Sequence, residues 1–157
     1  MFPEGDHHLN RRVRPLNKGF TRIIFGALKK YKDLEIYIVP VGLNYDTHIS
    51  YPQSVSIYYG KAFLANNYYN EDDLHRLTKQ LVTKTSDELK LLTTHIGDLE
   101  TYDSKILKLE ALNADFLNPI DTNKLLQKLE GKSKSNKINK ADNFWFKLVY
   151  IIALASI

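Results

Sequence analysis

Between residues 71 and 96, Leu74, Leu77, Leu81, Leu89, Leu92 and Ile96 recur at helical spacing. They form one apolar stripe on an otherwise polar and charged stretch, which predicts a long amphipathic helix. Such a helix gains most of its stability by burying that stripe against a second apolar surface. The chain offers two β-branched runs ahead of it. Residues 34–43 predict a short, largely buried strand. Residues 54–59 alternate small polar residues with Val55, Ile57 and Tyr59, a half-buried strand ended by Gly60. Residues 18–31 predict a helix with Phe20, Ile23, Ile24 and Ala27 on one face and Arg22, Lys29 and Lys30 on the other. Its basic last turn suits the negative end of the helix dipole. Two further helices are predicted over about residues 104–113 and from Asp121, as N-cap, to Glu130. Phe2-Pro3-Glu4-Gly5 reads as a strand end turning into a loop. Strand, helix, strand, strand, then helices is the order of an α/β architecture with a helical appendage.

The length, 157 residues, leaves room for one ordinary domain with a modest core. The formal charge is only +4, but its placement is uneven. From His7 to Lys32 there are eight Lys or Arg residues and no Asp or Glu. Charge concentrated in this way attracts phosphates, nucleic acid or an anionic membrane surface, although a solvated basic face has the same composition. The absence of cysteine excludes disulfides, thiolate catalysis and Cys-zinc sites, and fits a reducing compartment. Met1 is followed at once by polar, charged sequence, so no signal peptide is expected.

Residues 131–141 are polar and Lys-rich and read as a flexible linker. Leu148 to Ala155 is uninterrupted apolar sequence behind Phe144-Trp145-Phe146-Lys147. A spanning helix needs roughly 20 apolar residues. Residues 142–157 therefore read as the start of a membrane or interfacial helix, with a buried C-terminal helix as the other option.

The chemistry concentrates at the N-terminus. Gly5 allows close backbone approach to a ligand. His7, His8, Arg11, Arg12, Arg14 and Lys18 follow, with a helix starting near Lys18. An anion held there meets guanidinium groups, an ammonium and helix N-terminal amides together. Arginine suits phosphate because its planar fork engages two oxygens. The alternative is an exposed basic loop. His7-His8 is a weak metal pair without supporting ligands. Tyr51, Tyr58, Tyr59, Tyr68 and Tyr69, with the basic stretch, make a nucleic-acid stacking surface the third option, but no RNA- or DNA-binding module accompanies them.

Phe2-Pro3-Glu4-Gly5, followed at ungapped spacing by Pro15-Leu16-Asn17-Lys18-Gly19, resembles the third conserved block of the phospholipid/glycerol acyltransferase family. Ile38-Val39-Pro40-Val41-Gly42-Leu43-Asn44-Tyr45 resembles its fourth block, and the segment from Val55 to Phe63 the strand after it. The resemblance covers about residues 1–97. It implies a partial glycerolipid-acyltransferase domain, strands with flanking helices, continued by a helical extension over residues 98–130. It further implies that Glu4, Gly5, His7, His8, Arg11, Arg12, Lys18 and Gly19 bind the phosphate of the acyl acceptor. His7 stands where the family has Arg, a departure that Arg11, Arg12 and Arg14 are placed to offset.

The family's general base is a His followed five residues later by Asp. In this chain, the positions five after His7, His8, His48, His75 and His95 are Arg12, Val13, Gln53, Gln80 and Glu100. His95 itself reads as an exposed helical histidine. No catalytic residue, metal or cofactor is therefore assigned. The chain is expected to be truncated before the catalytic block and inactive alone. The resemblance implies a parent enzyme at the cytoplasmic face of a membrane, moving a fatty acyl group from acyl-CoA or acyl carrier protein to glycerol-3-phosphate or 1-acylglycerol-3-phosphate. The alternatives are a non-catalytic basic module on a membrane lipid surface and, less favoured, a nucleic-acid-binding domain.

Overall fold

A computed structural model describes residues 1, 3–5, 8–47 and 53–141, with side chains described as far as residue 131. Helix α1 spans Gly19–Lys30. Four short strands follow: β1, Tyr37–Ile38; β2, Val41–Tyr45; β3, Val55–Tyr59; and β4, Phe63–Leu64. Two short 3-10 turns, Ala65–Tyr68 and Glu71–Asp73, lead into α2, Leu74–Leu92. Helix α3 covers Tyr102–Ala111 and α4 Pro119–Ala141. The fold is mixed α/β, and its strand pairing is antiparallel.

The expected single strand over residues 34–43 is split at Pro40. β2 pairs with β3, Val41 opposing Tyr59, and β1 pairs with β4, Ile38 opposing Phe63. Two residues on one side thus face three on the other, a one-residue bulge. Pro40 has no N–H for the ladder, and a bulge is where a strand tolerates that loss. Its carbonyl still accepts from the Gly60 N–H at 2.8 Å. The four strands therefore form one bent two-stranded ribbon, closed at its β1/β4 end by the Ala65 N–H donating to the Ile36 carbonyl at 2.7 Å.

One face of the ribbon lies on α2. Gly42 permits this approach, since a β-carbon there would stand 2.4 Å from the Leu92 carbonyl oxygen. The buried Asn44 side chain donates to the same carbonyl at 2.9 Å. This is the face of Ser56 and Tyr58. The apolar alternation of β3 points the other way: Ile57 is 51% and Tyr59 71% exposed. Period two predicted the strand but not which side is covered.

The main core joins Val13, Leu16, Phe20, Phe25 and Leu81, with Ile38 and Phe63 of the ribbon packed against it. Burying a leucine as completely as Leu81 contributes about 2 kcal/mol. The inward arc of α1 is Phe20, Thr21, Phe25 and Leu28, with Ile24 half-buried. Ile23, expected inward, is 62% exposed, because the buried arc runs through Phe20, Thr21, Phe25 and Leu28 instead. A second core of Ile96, Leu109 and Leu126 joins α3 and α4 to the chain leaving α2.

Two expectations in this half are corrected. His95 is buried, not exposed, and lies beyond the end of α2. The stretch read as a linker continues as helix α4 to Ala141. The apolar segment at 142–157 lies outside the described residues. Among the described residues no helix is long and apolar enough to cross a membrane.

Candidate functional site

The N-terminal segment is pinned back onto the chain just ahead of α1. The Asn17 N–H donates to the Pro3 carbonyl at 2.7 Å. The Arg14 N–H donates to Glu4 Oε1 at 2.8 Å. Gly5 has φ 74°, a left-handed conformation that side chains rarely adopt, and a β-carbon there would stand 2.3 Å from Asn17 Nδ2. Val13 and Leu16 anchor the returning strand of this loop in the core. The loop thus delivers Lys18 to the start of α1, whose first turn carries no acid. The exposed Lys18 and Gly19 stand at the positive end of the helix dipole, where backbone amides lack intrahelical acceptors.

The expected site residues divide. Glu4, Gly5, Lys18 and Gly19 are brought together through Asn17 and Arg14. Glu4 spends one carboxylate oxygen closing the loop. His8 is exposed and its Nδ1 accepts from the Asn10 N–H at 3.0 Å, which adds a local turn. His7, like Phe2, lies outside the described residues. Among the described residues no group of acidic or imidazole side chains could hold a metal.

Arg11 goes elsewhere. It is 6% exposed, and its Nη1 and Nη2 donate to the carbonyls of Tyr45 and Asp46 at 2.7 and 2.9 Å. Its guanidinium lies 3.9 Å from the centroid of the Phe116 ring. The fork expected to grip phosphate grips the end of β2. Burial lowers its pKa, and Tyr102, Asp46 and Glu110 counter that.

Arg12 is half-buried, and its positive charge acts on His95. Its Nε is shielded from solvent without a hydrogen-bond partner among the described residues. A shielded guanidinium N–H without an acceptor is costly unless an anion supplies one. The Val13 N–H donates to His95 Nδ1 at 3.2 Å. Burial, with the positive charges of Lys90 and Arg12, pushes the His95 imidazole down to about 2, so it is a neutral acceptor.

The chain is 27% identical over 106 residues to glycerol-3-phosphate O-acyltransferase 1 of Saccharomyces cerevisiae. The match covers 64% of this chain, which spans 14% of the length of that relative. No protein-family profile matches the chain, and no solved structure does. The likeness is distant and supports a relationship to the glycerolipid acyltransferases at the level of the family.

Sequence reasoning missed the residues that hold the basic segment in place. The Ile96 N–H donates to the Arg11 carbonyl at 2.9 Å, and the Arg11 N–H to the Tyr102 hydroxyl at 2.7 Å. Asn123 of α4 accepts from the His95 N–H at 3.1 Å and donates to the Thr93 carbonyl at 2.9 Å. These contacts join residues distant in the chain, and no local pattern announces them. The tyrosines do not form one platform. Tyr68 packs edge-on against Phe63 and Tyr69 against Phe25. Tyr51 lies outside the described residues.

Proposed function

We propose that this chain holds the phosphate of the acyl acceptor for a glycerolipid acyltransferase. The acceptor is glycerol-3-phosphate or 1-acylglycerol-3-phosphate, and the donor acyl-CoA or acyl carrier protein. The carrying observation is the Gly5–Asn17 pinned loop, which ends in Lys18 and Gly19 at an acid-free helix start. The yeast relative, by name a glycerol-3-phosphate acyltransferase, supports the same reading.

In this reading Lys18 and the first amides of α1 take the phosphate, with Arg12 supplying the guanidinium. Glu4 and Gly5 shape the loop. Arg11 positions it, by tying the segment to Tyr45 and Asp46. Acyl transfer requires the acceptor hydroxyl to lose its proton as it attacks the thioester carbon, and the thiolate of the donor to leave. No His in this chain has Asp five residues on, so the general base comes from another part of the enzyme. The enzyme works at the cytoplasmic face of a membrane, where its lipid product partitions.

Amide chemical shifts of the isotopically labelled chain, titrated with glycerol-3-phosphate and with glycerol, test this. The phosphate ester should move Gly19 and Phe20, and R12E and K18E should each weaken the response at least fivefold. An equal response to glycerol, or none to the phosphate ester at millimolar concentration, overturns the reading.

A further inference from the structure

We infer that the second half of α4 is a polybasic element that docks on anionic lipid headgroups. From Gly131 to Ala141 the sequence has four lysines, Lys132, Lys134, Lys137 and Lys140, and no acid. The acid just ahead of them is already engaged: Glu130 pairs with Lys105 of α3 at 2.8 Å. Lys124, nearer the start of α4, is likewise paired with Asp121 at 2.6 Å. Positive charge therefore accumulates toward the end of α4, beyond the part that packs on α3 through Leu126.

The occupant is argued from two features that meet at this point. The first is charge complementarity. Lysines within a Debye length of an anionic leaflet each contribute roughly fivefold to partitioning. The second is the sequence that follows after one acid, Asp142, and Asn143: Phe144-Trp145-Phe146-Lys147 and then eight apolar residues. An aromatic cluster beside lysine, ahead of an apolar run, is the composition of a membrane–water boundary. As helix, residues 131–141 add about 16 Å beyond Glu130.

This inference deepens the membrane part of the proposed function and rests on it, but is independent of acyl transfer or phosphate binding. The test is co-sedimentation of the full chain with vesicles of phosphatidylcholine alone, or with a third phosphatidylserine. Binding should favour the anionic vesicles and fall at least tenfold between 0.05 and 0.5 M NaCl. Replacing Lys132, Lys134, Lys137 and Lys140 by Gln should cost roughly 600-fold, and replacing them by Arg should cost little. Circular dichroism and the glycerol-3-phosphate titration of both variants should match the parent. Equal, salt-insensitive binding to both vesicle types would assign the contact to the apolar segment alone and overturn the inference. So would a Gln variant that binds as the parent does.

Discussion

The Arg11 guanidinium lies over the Phe116 ring at 3.9 Å while its two Nη groups donate to the carbonyls of Tyr45 and Asp46. One side chain thus joins the N-terminal loop, the ribbon and the segment between α3 and α4. Arg11→Ala leaves the Tyr45 and Asp46 carbonyls without this donor and removes the stacked plane. It should destabilise the fold by roughly 3 kcal/mol, read as a lower urea midpoint. Arg11→Lys should recover only about half, because an ammonium cannot span both carbonyls and stack. A change below ~1 kcal/mol in the Ala variant would remove Arg11 from this role.

Gly5 tests the pinned loop. Alanine there must hold φ 74° and place its β-carbon against Asn17 Nδ2. The conformation alone costs about 1–2 kcal/mol, and the contact adds to it. Gly5→Ala should lower the melting temperature and weaken glycerol-3-phosphate binding together. Gly5→Ala with Asn17→Ala should recover the contact part but not the backbone part. A single variant that melts as the parent does would contradict the docked loop.

Ile57 tests the outward face of the ribbon, which it shares with Val41, Leu43 and Tyr59. An exposed apolar face promotes association. Ile57→Lys should leave stability within about 0.5 kcal/mol of the parent, because little burial is lost. The parent should sediment in a concentration-dependent way and the variant should not. Failure of this variant to fold would show that the face is already covered within the chain.

Helices α1 and α2 were legible in the sequence because each carries an apolar stripe long enough to fix its period, whereas the polar second half of α4 has no such stripe and reads as a linker. α2 ends at Leu92, however, and Ile96, counted in the same stripe, belongs to the second core. Helical spacing persisted past the helix by coincidence. Glu4, Gly5, Lys18 and Gly19 were legible as a group because they are close in sequence. Arg11, grouped with them in the sequence, turns inward to the Tyr45 and Asp46 carbonyls: adjacent residues in an extended segment face opposite ways, and composition does not say which arginine turns inward. His95, Tyr102 and Asn123 were illegible as partners, since their contacts depend on how α3 and α4 return to the N-terminal segment.

His95 should make stability depend on pH in a window of its own. In the fold its imidazole is pushed down to about 2 by burial and by Lys90 and Arg12, against an ordinary value of 6.5. Between those values the unfolded chain binds a proton that the folded chain excludes. Stability is therefore full above pH 6.5 and falls as the pH drops below it, by at most about 1.4 kcal/mol per unit. At pH 5 the loss is about 2 kcal/mol, before carboxylates such as Glu71, held down to about 2 by Lys29 and Lys32, begin to contribute. His95→Gln keeps an acceptor for the Val13 N–H and removes the titration. Urea midpoints from pH 5 to 7.5 should slope for the parent and stay nearly level for the variant. Equal slopes would mean that the imidazole can take up its proton in the folded chain, and so is not shielded between Val13 and Asn123.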